Sequence, residues 1–165
     1  HIGSSTGIDT FAFHQNKPTG LTNVALGGGM PSIFYPDKCI VLPFNLYCTK
    51  EKKILSIKSY LNLLLKLQKK YFLDRFEIEY QKKFKVKYIS NSEDEIYNLI
   101  HETELLSRNK LKLKKNDQVL QKKFWNIYPD KWFAPSIRNA IFNKKENQIL
   151  VSPYYLRKYK NLLYS

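Results

Sequence analysis

Acidic side chains, glycine, cysteine, histidine and long apolar runs are all scarce in this chain. Its 165 residues hold 14 Asp and Glu against 28 Lys and Arg, 3 His and 2 Cys. Catalysis or metal binding would therefore have to draw on His1, His14, His101, Cys39, Cys48 and a scattered set of carboxylates. The pair His101-Glu102 begins like an HExxH zinc motif, but Leu105 stands where the second His belongs, so the motif is absent. There is no CxxC and no HxH, and no metal or cofactor is expected. The 6 glycines build no phosphate loop: Gly27-Gly28-Gly29 has no Lys-Ser/Thr after it, and Gly3 and Gly7 do not precede a helix of the required kind. No apolar stretch approaches the roughly 18–20 residues of a membrane span, since Leu63-Leu64-Leu65 sits among Lys and Asn. A soluble protein without a membrane span is expected.

The two cysteines bear on compartment. Even positions from Ile40 to Cys48 are apolar, which reads as a strand over 39–48. Cys39 and Cys48 then face opposite sides about 30 Å apart, at about 3.3 Å per residue, and cannot bond each other. Two free thiols suit a reducing, intracellular compartment. The chain starts at His1 and its first seven residues lack a charged head and apolar core, so it is either processed or begins upstream. Lysine outnumbers arginine 24 to 4, with abundant Asn, Ile, Tyr and Phe, which suits an AT-rich coding genome such as that of an organelle (a mitochondrion), a parasite or an AT-rich microbe.

What the chain does have is core material and positive charge. A composition 43% hydrophobic and 15% aromatic is too apolar for a disordered polybasic tail and supports one folded domain. The charge is uneven: residues 1–50 carry a net +1, whereas residues 51–165 hold 25 basic against 12 acidic side chains, a net of +13. So basic a segment is drawn to polyanions before any specific contact forms.

Periodicity predicts an α+β fold: a small, mainly antiparallel sheet packed against a long helix over about 50–72 and shorter helices. Residues 1–37 read as an irregular, loop-rich segment with one or two short strands, one of them over Ile8–Phe13, and 38–165 as a single basic α+β domain. Pro43 cannot donate to a ladder, so the 39–48 strand is expected at an edge. Thr49 is the expected cap of the long helix, with Ile54, Ile57, Leu61, Leu64 and Leu65 as its apolar stripe. Phe76, Ile78, Tyr80, Phe84, Val86 and Tyr88 fall on even positions and predict strand over 76–88, with Lys83, Lys85 and Lys87 on its solvent face and Lys82 at a turn or bulge. Ser92 with Glu95 is a capping box for a helix ending near Ser107. A short helix stops before Pro129, a hairpin joins Asn139–Phe142 to Gln148–Val151, and Ser152-Pro153 opens a last helix.

Trp132, Asn139-Ala140-Ile141-Phe142 and Asn147-Gln148-Ile149 resemble the hairpin that precedes the zinc helix in neprilysin-type metallopeptidases. The resemblance covers about a seventh of the chain and implies that the Asn-Ala pair holds substrate backbone. The HExxH helix that should follow is missing, so it implies at most a non-catalytic interaction domain.

The remaining signal is basic and aromatic. Lys83, Lys85 and Lys87, then Arg108, Lys110, Lys112, Lys114 and Lys115, then Lys122 and Lys123, and finally Tyr155, Arg157, Lys158, Tyr159 and Lys160 form the expected nucleic-acid surface. Lysine neutralises phosphate and exposed tyrosine stacks on unpaired bases, a combination that favours RNA over DNA. The expected function is structural RNA binding within a ribonucleoprotein, such as an organellar ribosome, beside neighbouring proteins and with no reaction catalysed. The rival is a small basic nuclease or toxin domain using His14 or His101 with a lysine.

Overall fold

The computed structural model describes residues 1–4, 11–12, 14–26, 38–71, 78–127 and 148–164. The fold is α+β, and its larger sheet is parallel. Strands β1 (Ile2–Gly3), β2 (Thr19–Val24), β3 (Lys38–Pro43) and β7 (Gln148–Val151) lie in the order β1-β2-β3-β7, every pair parallel. The antiparallel pattern expected from the sequence belongs to a smaller sheet of β4 (Asn45–Cys48), β5 (Lys53–Ile54) and β6 (Val86–Ile89). Residues 39–43 are all buried, as befits a parallel strand covered on both faces. The segment read as loop-rich supplies β1 and β2, while Phe11 and Ala12, the described part of the Ile8–Phe13 stretch, are helical instead of extended.

The expected single strand over 39–48 is two strands in two sheets, and β3 is interior, not an edge. Pro43 is tolerated because it is the last residue of β3, where Phe44 N–H takes over and donates to Val24 O at 2.9 Å. Beside it β2 is irregular between Leu21 and Val24, and Asn23 adopts φ 54°. Asn23 and Asn91 each use a side-chain oxygen to accept the other's backbone N–H, at 2.6 and 2.9 Å, and Asn91 Nδ2 donates to Pro43 O at 2.8 Å. The two amides close the ends of β2 and β3 where the ladder fails. Cys39 and Cys48 are both buried, and neither forms a disulfide.

Helix α1 spans Ile57–Tyr71, shorter than expected, because residues 49–52 form the turn between β4 and β5. Ser56, not Thr49, caps it, its hydroxyl accepting Ser59 N–H at 3.2 Å, while Thr49 N–H and hydroxyl both donate to Lys85 O. Ile57, Tyr60, Leu61 and Leu64 enter the core.

Of the strand expected over 76–88, only the last residues are extended among the described residues. Ile78–Phe84 is helix α2, Lys85 turns the chain with φ 54°, and only Val86–Ile89 is strand. Tyr80 and Phe84 pack on the core one helical turn apart, a spacing of four that fits a period of two equally well. Lys82 and Lys83 fall in the last turn of α2, where the helix dipole favours cations. Residues 76 and 77 lie outside the described residues.

Helix α3 (Glu93–Ser107) has the expected capping box, with Ser92 N–H donating to Glu95 Oε2 at 2.9 Å and Glu95 N–H to Ser92 Oγ at 3.3 Å. This helix, not α1, lies across β2 and β3. It approaches so closely that a Cβ on Gly20 would come within 2.5 Å of Thr103 Oγ1 and 3.2 Å of Leu99 Cγ. Helix α4 (Lys115–Ile127), helix α5 (Pro153–Lys158) and a 3-10 turn (Lys160–Leu163) complete the described chain. Ser152 caps α5 by accepting Tyr155 N–H, with Pro153 at its first turn. Of the expected hairpin, Gln148–Val151 is a strand paired parallel with β3, and Asn139–Phe142 lies outside the described residues. Among the described residues no helix is long and apolar enough to cross a membrane.

Candidate nucleic-acid interface

The connection from α3 to α4 is the most uniformly basic stretch of the described chain, with five basic and no acidic residues over 108–115. Its path is fixed at both ends. Arg108 N–H closes α3 on Glu104 O, and Asn109 reverses the chain at φ 53°, a conformation its short polar side chain tolerates. Lys110 and Leu111 N–H both return to Leu105 O, at 2.8 and 3.1 Å. At the far end Lys114 N–H donates to Asp117 Oδ2 at 3.2 Å, and the Gln118 amide donates to Leu113 O. Between these anchors Leu111 and Leu113 are half-buried against the core, so the intervening Lys110, Lys112 and Lys114 are held exposed.

This ridge continues along α4. Lys115 and Lys122 are exposed and seven residues apart, on one stripe of the helix about 10.5 Å long at 1.5 Å per residue. Among the described residues, Lys110, Lys112, Lys114, Lys115 and Lys122 form no ion pair, while Arg108 is tied to Glu104 at 2.6 Å. Lys38, which the sequence gives no reason to place here, reaches the ridge by donating to Asn109 Oδ1 at 3.1 Å.

The C-terminal cluster is largely a tether instead of an open surface. Tyr155 is buried, only 1% exposed, and its hydroxyl donates to Asn45 Oδ1 at 2.9 Å, so it cannot stack on a base. Burial pushes its phenol well above the usual range. Tyr159 is half-buried, packs on Tyr155 and donates to Glu95 Oε1 at 2.7 Å. Lys158 meets the same oxygen at 2.8 Å, and Arg157 pairs with buried Asp117 at 2.8 Å. Burial pushes the Glu95 carboxyl up, but hydrogen bonds from Lys158, Tyr159 and Ser92 outweigh it and leave it below the usual range. Glu102 accepts Tyr154 N–H at 2.8 Å, its second oxygen has no partner in hydrogen-bond geometry among the described residues, and burial pushes its carboxyl up against the opposing pull of the Ser152 hydroxyl and Tyr154 N–H. These contacts fasten α5 to α3 and α4. Of the residues expected there, Lys160 alone is exposed with no ion pair among the described residues.

The three lysines assigned to one strand face are separated by the fold. Lys83 lies in the last turn of α2, Lys85 forms the turn after it, and Lys87 lies on β6 with its ammonium 5.3 Å from the centroid of the Tyr47 ring. Lys123 sits over the ring of Tyr164, at 2.9 Å from the centroid.

His14 and His101 are both exposed, and neither hydrogen-bonds a hydroxyl or thiol among the described residues. His101 Nδ1 lies 4.0 Å from Glu104 Oε2. No group of three or more His, Cys, Asp or Glu placed to hold a metal occurs among the described residues. Gly27-Gly28-Gly29 and Trp132, Asn139-Ala140-Ile141-Phe142 and Asn147 of the neprilysin-like stretch lie outside them. Comparison with protein-family models, with curated proteins and with solved structures finds no match to this chain.

Proposed function

We propose that this protein binds RNA through its phosphate backbone, as a component of a ribonucleoprotein, using the ridge from Arg108 to Lys115 and the adjoining stripe of α4. The observation that carries the reading is the alternation at 110–114. Two leucines anchor the segment to the core and hold three ammonium groups in solvent, so the charge is positioned before a ligand arrives. Lysine acts on phosphate as a point charge without the geometry for reading base edges, so affinity rather than sequence selection is its contribution.

A matched pair of variants tests the assignment. Lys112→Gln with Lys114→Gln and Lys50→Gln with Lys58→Gln remove the same charge, the second pair from exposed positions on the β4–β5 turn and on α1. The first pair should weaken binding of a structured RNA in a filter assay by several-fold more than the second. Equal losses would mean that net charge, not this ridge, attracts RNA. Shortened RNA fragments released by the wild type and lost in His14→Ala or His101→Ala would favour the nuclease instead.

A further inference from the structure

Three large aromatic side chains are well exposed among the described residues: Phe11, Tyr97 and Tyr164. Tyr97 lies on α3, a helix with five carboxylates and no Lys or Arg, an unfavourable setting for a phosphate backbone. Phe11 has no described lysine packed on its ring. Tyr164 differs from both, being 63% exposed with Lys123 over its ring. Its hydroxyl has no hydrogen-bond partner among the described residues.

The ring is nevertheless held in place from below. Leu162 and Leu163 are buried, the 3-10 turn they belong to packs on α4, and Tyr164 N–H donates to Asn161 O at 3.2 Å. That packing sets Tyr164 against Lys123, the residue after Lys122, with which the lysine stripe that begins at Lys115 ends. Solvent-exposed rings on an anchored backbone stack on bases at little ordering cost, and with Lys123 over it the Tyr164 ring still keeps most of its surface in solvent.

We propose that Tyr164 is the stacking platform for an unpaired base of a nucleic-acid strand whose phosphates follow Lys115, Lys122 and Lys123. The inference rests on the RNA-binding reading and narrows it to ligands with a single-stranded segment. It also replaces Tyr155 and Tyr159, which the fold commits to internal contacts.

Binding of the full chain to a single-stranded oligouridine of about twelve nucleotides, and to an RNA duplex of the same length, tests it. Tyr164→Leu should weaken the single strand about tenfold and leave the duplex and the salt dependence unchanged. Tyr164→Trp should restore single-strand affinity, and circular dichroism should show both variants folded. An unchanged single-strand affinity in Tyr164→Leu, or an equal loss on both probes, overturns the stacking role while leaving backbone binding intact. Failure of the wild type to bind either probe overturns both readings.

Discussion

Gln121 on α4 satisfies both outward backbone groups of Val151 on β7: its side-chain nitrogen donates to Val151 O, and its oxygen accepts Val151 N–H at 3.1 Å. Val151 is the last residue of β7, the outermost strand of the parallel sheet among the described residues, so the amide stands where another strand would pair. A buried glutamine thus both joins α4 to the sheet and blunts an edge that would otherwise template association. Gln121→Leu should strand two buried polar groups and cost about 2 kcal/mol or more, at roughly 1–3 kcal/mol per unsatisfied group. Urea unfolding measures it, and a loss of only a few tenths would show that the amide is dispensable.

Gly20 makes a second prediction from packing. Gly20→Ala would place a methyl against Thr103 Oγ1, Ile2 and Leu99, so α3 must lift from β2, at a cost of about 1–3 kcal/mol. Thr103→Ala in the same chain should recover part of that loss, because it removes the nearest atom and leaves Leu99. A strictly additive double variant would indicate that the two sites do not touch.

Two carboxylates on α3 pull the pH dependence in opposite directions. Glu102 is held above the usual range by burial, so the folded protein keeps a proton that the unfolded chain releases. Its contribution is complete below the ordinary carboxylate range and is lost as pH rises through the raised value. Glu95 is held below that range, so its contribution is present above it and is lost as pH falls through the depressed value. Glu102→Gln should therefore be more stable than wild type at neutral pH, with the gain disappearing in acid. Denaturation midpoints measured against pH for both proteins check this, and a gain independent of pH would contradict it.

Local signals in the sequence translate well and distant ones do not. Ser92 with Glu95, and Ser152 with Pro153, are helix starts encoded within four residues, and both form. The pairing of Cys39 with Ile149 is set by packing across more than a hundred residues, so nothing near β3 announces a parallel sheet. Tyr80 and Phe84 mislead because their spacing satisfies strand and helix alike. At the candidate site, the ridge over 108–115 is legible as a charge run, with Leu111 and Leu113 marking its inner side. The C-terminal tyrosines are misread because lysines surround them, although Tyr155, Leu156, Tyr159 and Leu162 recur at helical spacing and carry the signal for burial. Glu95, Glu102 and Asp117, the partners that consume this charge and its hydrogen bonds, are too distant in sequence to be assigned.

The central claim is that a positioned lysine ridge neutralises RNA phosphates, and the salt dependence of binding tests it most directly. Each phosphate neutralised on a single strand contributes about −0.7 to the slope of log affinity against log salt. Replacing Lys110, Lys112, Lys114 and Lys115 with Ala should therefore flatten the slope by about 3 if each makes one phosphate contact. The melting temperature should hardly move, because these side chains are exposed and form no ion pairs among the described residues. A slope identical in wild type and variant, or a wild-type affinity indifferent to salt, would contradict the account.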